Sequence, residues 1–387
     1  MQKIHCLNKI ANVGLDLLTD NYELVDSFND ANAVIVRSSS IHDLELPSSL
    51  VAIARAGAGV NNIPLDKCAD SGVVVFNTPG ANANGVKEMV IATLIMSARN
   101  ILGGVNWVDS CSQDPEVAKL VEKKKSQFVG TEIKGRKLGV IGLGAVGVLV
   151  ANAANKLDME VYGYDPFISV DAAWNLSKYI KHSRSLDEIF RECDFITVHV
   201  PSTDETKGMF NPETFAIMKD GVVILNFSRD TLVDDVAMIE ALESGKVGRY
   251  VTDFPNPKVC GVEGVIAIPH LGASTSESED NCAVMAVRQL MDYLENGNIK
   301  NSVNYPNCDL GVCMGKGRIS INHKNIPNML SQFTSTFAKE NINIPDMINK
   351  SKGQYGYTIL DIEATSTEVC AKKLRAIDGV LKVRIIK

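Results

Sequence analysis

The chain of 387 residues has no run of about eighteen apolar residues, so no membrane-spanning helix is expected. Its N-terminus lacks the charged-then-apolar pattern of a secretory signal, and we therefore expect a cytoplasmic protein. Its nine cysteines are odd in number and include no Cys-x-x-Cys pair, which indicates reduced thiols and neither disulfides nor a metal site. The basic residues near the C-terminus are dispersed, which argues against a nucleic-acid-binding surface.

Three glycines with the spacing G-x-G-x-x-G follow an apolar segment and precede a helical pattern. They are Gly142, Gly144 and Gly147. This order of strand, turn and helix is typical of a dinucleotide site, where the pyrophosphate lies at the N-terminus of the helix. The backbone of the turn, including Ala145 and Val146 between the second and third glycines, is expected to bind the cofactor.

Asp165 closes a second apolar segment downstream of this turn. A carboxylate at this place is expected to accept hydrogen bonds from the ribose hydroxyls of the adenosine. No Lys or Arg follows Asp165 before Lys178, so the nearby sequence offers no cation to a 2′-phosphate. The sequence therefore favours NAD over NADP as the cofactor.

Apolar strand patterns alternate with helical patterns over most of the chain. This alternation predicts an α/β protein with two doubly wound parallel sheets, Rossmann-like and flavodoxin-like. We expect a substrate-binding domain at residues 1–99 and 274–307 and an NAD-binding domain at residues 100–273. Residues 316–387 fit the order βαββαβ, which predicts a small, separate C-terminal domain.

Two side chains are candidates for catalysis. A nicotinamide enzyme that oxidises an alcohol needs a base for the hydroxyl proton and a cation that polarises the developing carbonyl. Arg229 and His270 each follow an apolar strand pattern, so both are expected at the carboxyl edge of a sheet, facing one crevice. A histidine alone is more often a satisfied core residue, but a strand end in a chain with a cofactor turn favours a catalytic one.

Short motifs of one enzyme family recur along nearly the whole chain, at residues 36–38, 55–60, 77–79, 129–132, 193–199, 229–234 and 269–275, besides the glycine turn. With these motifs the chain resembles the D-isomer-specific 2-hydroxyacid dehydrogenases, and within them the D-3-phosphoglycerate dehydrogenase branch. The resemblance implies NAD-dependent oxidation of D-3-phosphoglycerate to 3-phosphohydroxypyruvate, the first step of L-serine biosynthesis, by a homodimer or homotetramer. Two alternatives stay open: a dehydrogenase for another D-2-hydroxy acid, and a non-catalytic NAD-sensing scaffold.

The resemblance also implies roles for single residues of the cofactor-binding half. Arg229 would polarise the substrate, and His270 would be the general acid and base. Asp253 would hold the nicotinamide carboxamide. The other residues expected around the cofactor are Val200, Pro201, Asn226, Ser228 and Gly272.

Substrate recognition is implied at the ends of the first strands. The amides of Gly57, Ala58, Gly59 and Val60 would receive the carboxylate, and Arg37, Ser38 and Arg55 match the positions on the phosphate side. Lys87 stands where the family usually has a small residue. It either adds a phosphate contact or is solvated.

The chain departs from the family pattern shortly after Asp253. Family members normally have there a Glu that hydrogen-bonds the catalytic His, whereas here the segment is shortened and carries none. Glu263 would take that role if its loop folds back, or His270 works without such a partner.

The C-terminal part resembles an ACT regulatory domain. In family members that bind serine there, the matching residues are His323, Asn325 and Asn343. The resemblance implies serine as an effector. A domain that serves only dimerisation is the alternative.

Overall fold

The structure, a computed structural model, describes residues 1–364 and 367–387. These residues divide into two compact units, Met1–Asn82 with Ser276–Lys387, and Ala83–Thr275. Among them no single helix is long and apolar enough to cross a membrane; the helices Ala83–Ala98 and Ile101–Ser110 reach that length and hydropathy only together, across a bend of 69°.

The first unit begins with a parallel sheet. Its elements are β1 (Gln2–Cys6), α1 (Asn12–Leu15), β2 (Tyr22–Leu24), β3 (Ala33–Val36), β4 (Ala52–Arg55), α2 (Leu65–Asp70) and β5 (Val74–Phe76). The strands lie in the order β2-β1-β3-β4-β5. Uninterrupted apolar strands such as β3 are typical of parallel strands with both faces covered. Arg37 directly follows β3, and Gly57 lies two residues after β4.

The second unit alternates helices and strands. Its elements are α3 (Ala83–Ala98), α4 (Ile101–Ser110), α5 (Val117–Lys124), β6 (Lys137–Ile141), α6 (Ala145–Lys156), β7 (Glu160–Tyr164), α7 (Val170–Trp174), β8 (Lys181–His182), α8 (Leu186–Glu192), β9 (Phe195–Val198), α9 (Pro212–Ile217), β10 (Val222–Asn226), α10 (Asp235–Glu243), β11 (Val247–Thr252) and β12 (Val265–Ala267). The strands are parallel, in the order β12-β11-β10-β9-β6-β7-β8.

This strand order positions the candidate site. The strands β6 and β9 are neighbours, and the strand order reverses there; in open α/β sheets, ligands bind at the carboxyl ends of the strands at such a point. The glycine turn follows β6 directly. On the other side of β9, β11 lies between β10 and β12, which lead to Arg229 and His270.

The last residues return to the first unit. They form α11 (Ser276–Asn296), β13 (Gly317–Lys324), α12 (Met329–Lys339), β14 (Asp346–Lys352), β15 (Tyr355–Ile362), α13 (Glu368–Arg375) and β16 (Val380–Ile385). The four strands are antiparallel, in the order β14-β15-β13-β16. Tyr357 and Ile359 of β15 share one apolar core with Phe76 of β5 and Tyr293 of α11.

The predicted fold class is confirmed, with two parallel sheets and a small βαββαβ unit. The compact units differ from the predicted domains in two respects. The helix α3 lies with the second unit, because Val90 and Leu94 pack there against Leu138 and its neighbours. Residues 316–387 are grouped with the first unit, whose core includes Tyr357 and Ile359, although Phe333 and Leu360 lie in an apolar core made of C-terminal residues alone; a separate domain there stays a prediction.

Candidate active site

The glycine turn after β6 has the backbone that a phosphate-binding turn requires. Gly142 has φ +88°, and a Cβ there would lie 2.5 Å from the carbonyl oxygen of His199. A Cβ on Gly147 would lie 1.9 Å from the carbonyl oxygen of Gly142, so only glycine lets α6 approach the turn this closely. A Cβ on Gly144 would meet nothing within 4 Å. The turn is therefore packed closely against the protein at Gly142 and Gly147, and it faces open space at Gly144.

The carboxylate of Asp165 is fixed beside this turn. Its Oδ2 accepts a hydrogen bond from the amide of Leu143 at 2.8 Å, and its Oδ1 accepts one from the amide of Phe167 at 2.8 Å. Because the first bond joins Asp165 to the glycine turn, the carboxylate keeps its position relative to the place of the pyrophosphate. Carboxylate oxygens keep lone pairs for further donors such as ribose hydroxyls.

The loop after β10 is held by buried polar groups. The side-chain amide of Asn226 donates to the carbonyl oxygen of Arg229 at 2.7 Å, and its oxygen accepts from the amide of Ser228 at 3.1 Å. The Ser228 hydroxyl donates to the carbonyl oxygen of Val198 in β9 at 2.8 Å. Asn226 and Ser228 thus fix the backbone that carries Arg229.

Asp253 is buried at the end of β11, and its Oδ1 has no hydrogen-bond partner among the described residues. Burial raises the pKa of Asp253 to about 6, against the opposing effect of Arg229. A Cβ on Gly272 would lie 3.6 Å from Asp253 Oδ2, so this glycine borders the carboxyl group. A buried acceptor without a partner is costly in isolation and suits a donor that arrives with a ligand.

Arg229 and His270 both contact the ring of Phe254. The Cζ atom of Arg229 lies 5.2 Å from the ring centroid, and the ring centroids of Phe254 and His270 are 4.4 Å apart at an interplanar angle of 51°. The Nη1 of Arg229 also donates to the carbonyl oxygen of Ser228 at 2.5 Å. The two side chains singled out for catalysis therefore lie close together in one unit.

The hypothesis that Glu263 orients His270 is wrong. Glu263 precedes β12, and His270 follows it. The register pairs Val265 with Tyr250 and Ala267 with Thr252, so β12 runs straight along β11 between the two residues. With a rise of about 3.3 Å per residue, the two residues lie toward opposite edges of the sheet.

Lys87 is engaged within its own helix. Its Nζ donates to Asn84 Oδ1 at 2.6 Å and lies 3.6 Å from Glu88 Oε1. These contacts agree with either expectation for Lys87, so its role in substrate binding stays a prediction.

In the first unit, Asn8 organises the loop after β3. Its Oδ1 accepts hydrogen bonds from the amides of Arg37, Ser38 and Ser39, each at 3.1 Å. The Nε of Arg55 donates to the carbonyl oxygen of Arg37 at 3.1 Å. The predicted phosphate-side residues Arg37, Ser38 and Arg55 are thus brought together.

The loop after β4 presents backbone donors. Gly57 has φ +144°, and a Cβ there would lie 1.5 Å from Arg55 Nη1. Among residues 1–364 and 367–387, the amides of Ala58, Gly59 and Val60 donate to no protein acceptor. Consecutive free amides of this kind bind anions. Of the four residues predicted to receive a carboxylate, three present free amides, whereas the amide of Gly57 donates to the carbonyl oxygen of Arg55 at 2.9 Å; their role in carboxylate binding stays a prediction.

The three predicted effector residues are not brought together within one chain. The ring nitrogens of buried His323 bond Lys324 O at 2.8 Å and Asn349 Oδ1 at 3.2 Å. Asn325 donates to Gly353 O at 3.1 Å, at the turn between β14 and β15. Asn343 donates to Glu363 Oε2 at 3.1 Å, beyond the other end of the same strand pair. The length of β14 separates Asn343 from the other two.

Sequence reasoning missed three residues at these sites: Asn8, Phe254 and Glu279. Phe254 adjoins Asp253, which is the only signal that could have found it. Asn8 lies 29 positions before Arg37, and Glu279, which forms an ion pair with Arg37, lies much farther along the chain. No local pattern joins such positions.

Comparisons with known proteins show which enzymes the chain is similar to. Residues 91–272 match the family model described as D-isomer specific 2-hydroxyacid dehydrogenase, NAD binding domain. D-3-phosphoglycerate dehydrogenase of Haemophilus influenzae is 29% identical over 384 residues, 95% of this chain and 89% of that protein. The enzyme of the same name from Escherichia coli strain K12 is 29% identical over 386 residues, 95% of this chain and 90% of that protein.

Solved structures give the same result. The crystal structure of NAD+-bound 3-phosphoglycerate dehydrogenase from Entamoeba histolytica is 29% identical, with a TM-score of 0.62 over 78% of this chain and 98% of that one. The structure of D-2-hydroxyisocaproate dehydrogenase, 19% identical, has a TM-score of 0.65 over 79% of this chain and all of that one. At 19% identity, the similarity to D-2-hydroxyisocaproate dehydrogenase concerns the fold alone.

Proposed function

Since the chain belongs to the family of D-isomer-specific 2-hydroxyacid dehydrogenases, we propose that it oxidises D-3-phosphoglycerate to 3-phosphohydroxypyruvate with NAD, the first step of L-serine biosynthesis. The observation that carries the proposal is the placement of a guanidinium and an imidazole, Arg229 and His270, on one ring in the unit that holds the glycine turn. The choice of D-3-phosphoglycerate as the substrate comes from the similarity to the D-3-phosphoglycerate dehydrogenases named above.

The second unit fits NAD. Space is open above Gly144, the carboxylate of Asp165 is oriented beside it, and Asp253 keeps a buried oxygen without a partner among the described residues. When bound, NAD accepts the hydride that leaves the substrate carbon. His270 takes the hydroxyl proton, and Arg229 stabilises the developing carbonyl oxygen.

The first unit contributes anion recognition. The amides of Ala58, Gly59 and Val60 receive the substrate carboxylate, and the guanidinium of Arg37 receives the phosphate. A hydroxy acid without a phosphate would leave Arg37 unused. This difference makes substrate choice measurable.

The test is the reverse reaction followed by NADH absorbance. The protein is given 3-phosphohydroxypyruvate or unphosphorylated hydroxypyruvate, with NADPH in place of NADH as a control on the cofactor. We expect a clear preference for the phosphorylated keto acid and loss of turnover in His270→Ala. Equal use of both keto acids would favour another 2-hydroxy acid as substrate, and no turnover by the unaltered protein would favour a scaffold.

We propose that two copies pair through the second unit. Four apolar side chains of α4 are 42–50% exposed, and their spacing places them on one face of the helix. They are Ile101, Leu102, Val105 and Val108. Light scattering should give at least a dimer, and Val105→Glu should break this pairing and lower the measured mass; a monomeric unaltered protein would contradict the pairing.

A second pairing would complete the effector site. The strand β14 has a neighbour on one side only. If it pairs antiparallel with β14 of a second copy, Asn343 of that copy comes near His323 and Asn325 of the first. Serine at millimolar concentration should then lower activity, with a coupling of about 1–3 kcal/mol. Asn343→Ala should abolish the inhibition, and unaltered activity with serine would leave the domain a dimerisation element.

A further inference from the structure

Phe254 occupies a place that the strand order of the second unit creates. The strand β11 lies between β10 and β12, and Phe254 follows β11 by two residues. Arg229 follows β10, and His270 follows β12. A side chain after the central strand is the one that can reach both neighbours at the same edge of the sheet.

The contacts agree with this topology. The guanidinium of Arg229 lies over the ring of Phe254, with Cζ 5.2 Å from its centroid, which is the geometry of a cation–π contact. The ring of His270 packs against the same ring, with centroids 4.4 Å apart. One apolar ring therefore touches both groups that the reaction uses.

The backbone of Phe254 is fixed independently of these contacts. Its amide donates to Thr252 Oγ1 at 3.0 Å, and Thr252 and Asp253 are buried. The side chain of Phe254 is half-buried. The hydrogen bond fixes its backbone, and part of the ring stays accessible to solvent. An anchored ring of this kind can restrict the positions of two flexible side chains.

We propose that Phe254 is a positioning residue that sets the distance and tilt between Arg229 and His270, a role that rests on the proposed function. The segment after Asp253 is the one in which the chain lacks the family's Glu, and here an aromatic contact restrains the imidazole. The ring takes no part in proton transfer. It acts by holding the polarising group and the acid–base group in the geometry that hydride transfer requires.

The experiment compares Phe254→Leu, which removes the ring, with Phe254→Tyr, which keeps it. In the reduction of 3-phosphohydroxypyruvate, we expect Phe254→Leu to lower kcat by about ten- to a hundredfold with little change in the KM for NADH. Phe254→Tyr should keep kcat within a few-fold of the unaltered protein. An unchanged kcat in Phe254→Leu, or an equal loss in both variants, would overturn the proposal.

A readout without turnover separates this inference from the proposed function. The ring of Phe254 shifts the proton resonances of the His270 imidazole, which are assigned by their absence in His270→Ala. We expect Phe254→Leu to move these resonances and Phe254→Tyr to leave them nearly in place, while melting curves show both variants folded. If the unaltered protein does not reduce 3-phosphohydroxypyruvate but the resonances move as expected, the contact stands and the substrate is wrong. Resonances that do not move would refute the contact.

Discussion

The guanidinium of Arg37 forms an ion pair with the carboxylate of Glu279, with Nη2 and Oε1 2.6 Å apart. Both side chains are 43% exposed. An exposed pair of this kind contributes little to stability, about 0–1 kcal/mol, so it can open to a ligand at small cost. Glu279 therefore orients Arg37 and competes with any phosphate that approaches it.

Arg37→Ala should raise the KM for 3-phosphohydroxypyruvate by tens-fold and leave the KM for NADH unchanged. The loss corresponds to a charge-assisted hydrogen bond, about 1.5–3 kcal/mol. Glu279→Gln is the matched variant, because it removes the competing charge and keeps the shape of the side chain. We expect it to leave this KM equal or lower. Steady-state kinetics at low salt measure both, and a rise in the KM of Glu279→Gln as large as that of Arg37→Ala would show that the ion pair itself is required.

The glycine turn offers a pair of variants that separates folding from cofactor binding. Gly144→Val should keep the melting temperature of the protein and weaken NADH binding at least tenfold, because its side chain enters space where the protein has no atoms. Gly147→Ala should lower the melting temperature, because its Cβ would overlap the carbonyl oxygen of Gly142. Thermal melts and NADH fluorescence titrations measure the two effects. Unweakened NADH binding in Gly144→Val would place the dinucleotide elsewhere.

The stability of the cofactor-free protein should depend on the charge of Asp253. Burial raises the pKa of this carboxyl from 3.8 to about 6, so its neutral form favours the folded state. The stabilisation is complete below about pH 4 and is lost as the pH rises through about 6. Asp253→Asn is neutral at every pH, so at pH 8 it should melt about 2–4 °C above the unaltered protein. The difference should vanish toward pH 4, and a gain that is the same at both pH values would have another cause.

A buried arginine forms an ion pair within the C-terminal sheet and also hydrogen-bonds α11 in the rest of the first unit. Arg318 of β13 is fully buried; its Nε lies 2.6 Å from Asp361 Oδ1, and its Nη1 donates to Asn296 O at the end of α11 at 3.0 Å. Asp361→Asn leaves this guanidinium without its counter-charge and should cost roughly 3–5 kcal/mol of unfolding free energy in urea. The double variant Arg318→Met with Asp361→Leu should lose much less, because no charge stays buried. A double variant as unstable as the single one would show that the pair is needed for packing.

Local patterns were sufficient for the parts of the site whose residues are neighbours in the chain. The turn from Gly142 to Gly147 and the carboxylate of Asp165 belong to one strand–helix–strand unit, so their spacing specifies their geometry. The loop at residues 57–60 was expected from the family resemblance, and its free donors are the amides of three consecutive residues, Ala58, Gly59 and Val60.

Contacts between distant residues needed the fold. The ring of Phe254 meets Arg229 and His270 only because β11 lies between β10 and β12. The ion pair of Arg37 with Glu279 likewise depends on the return of α11 to the first sheet. Spacing along the chain carries no signal for either contact.

The sequence by itself determined the fold class and the cofactor turn, because strand and helix periods and backbone conformation are properties of neighbouring residues. In β13, apolar Ile319 and Ile321 alternate with polar Arg318, Ser320 and Asn322, a pattern typical of a strand with one face in water. Only the tertiary structure decided that both faces are buried, because α11 and β15 bring Tyr293 and Tyr357 into one core with the first sheet. Burial depends on what packs against a surface, and for this surface the partner comes from distant parts of the chain.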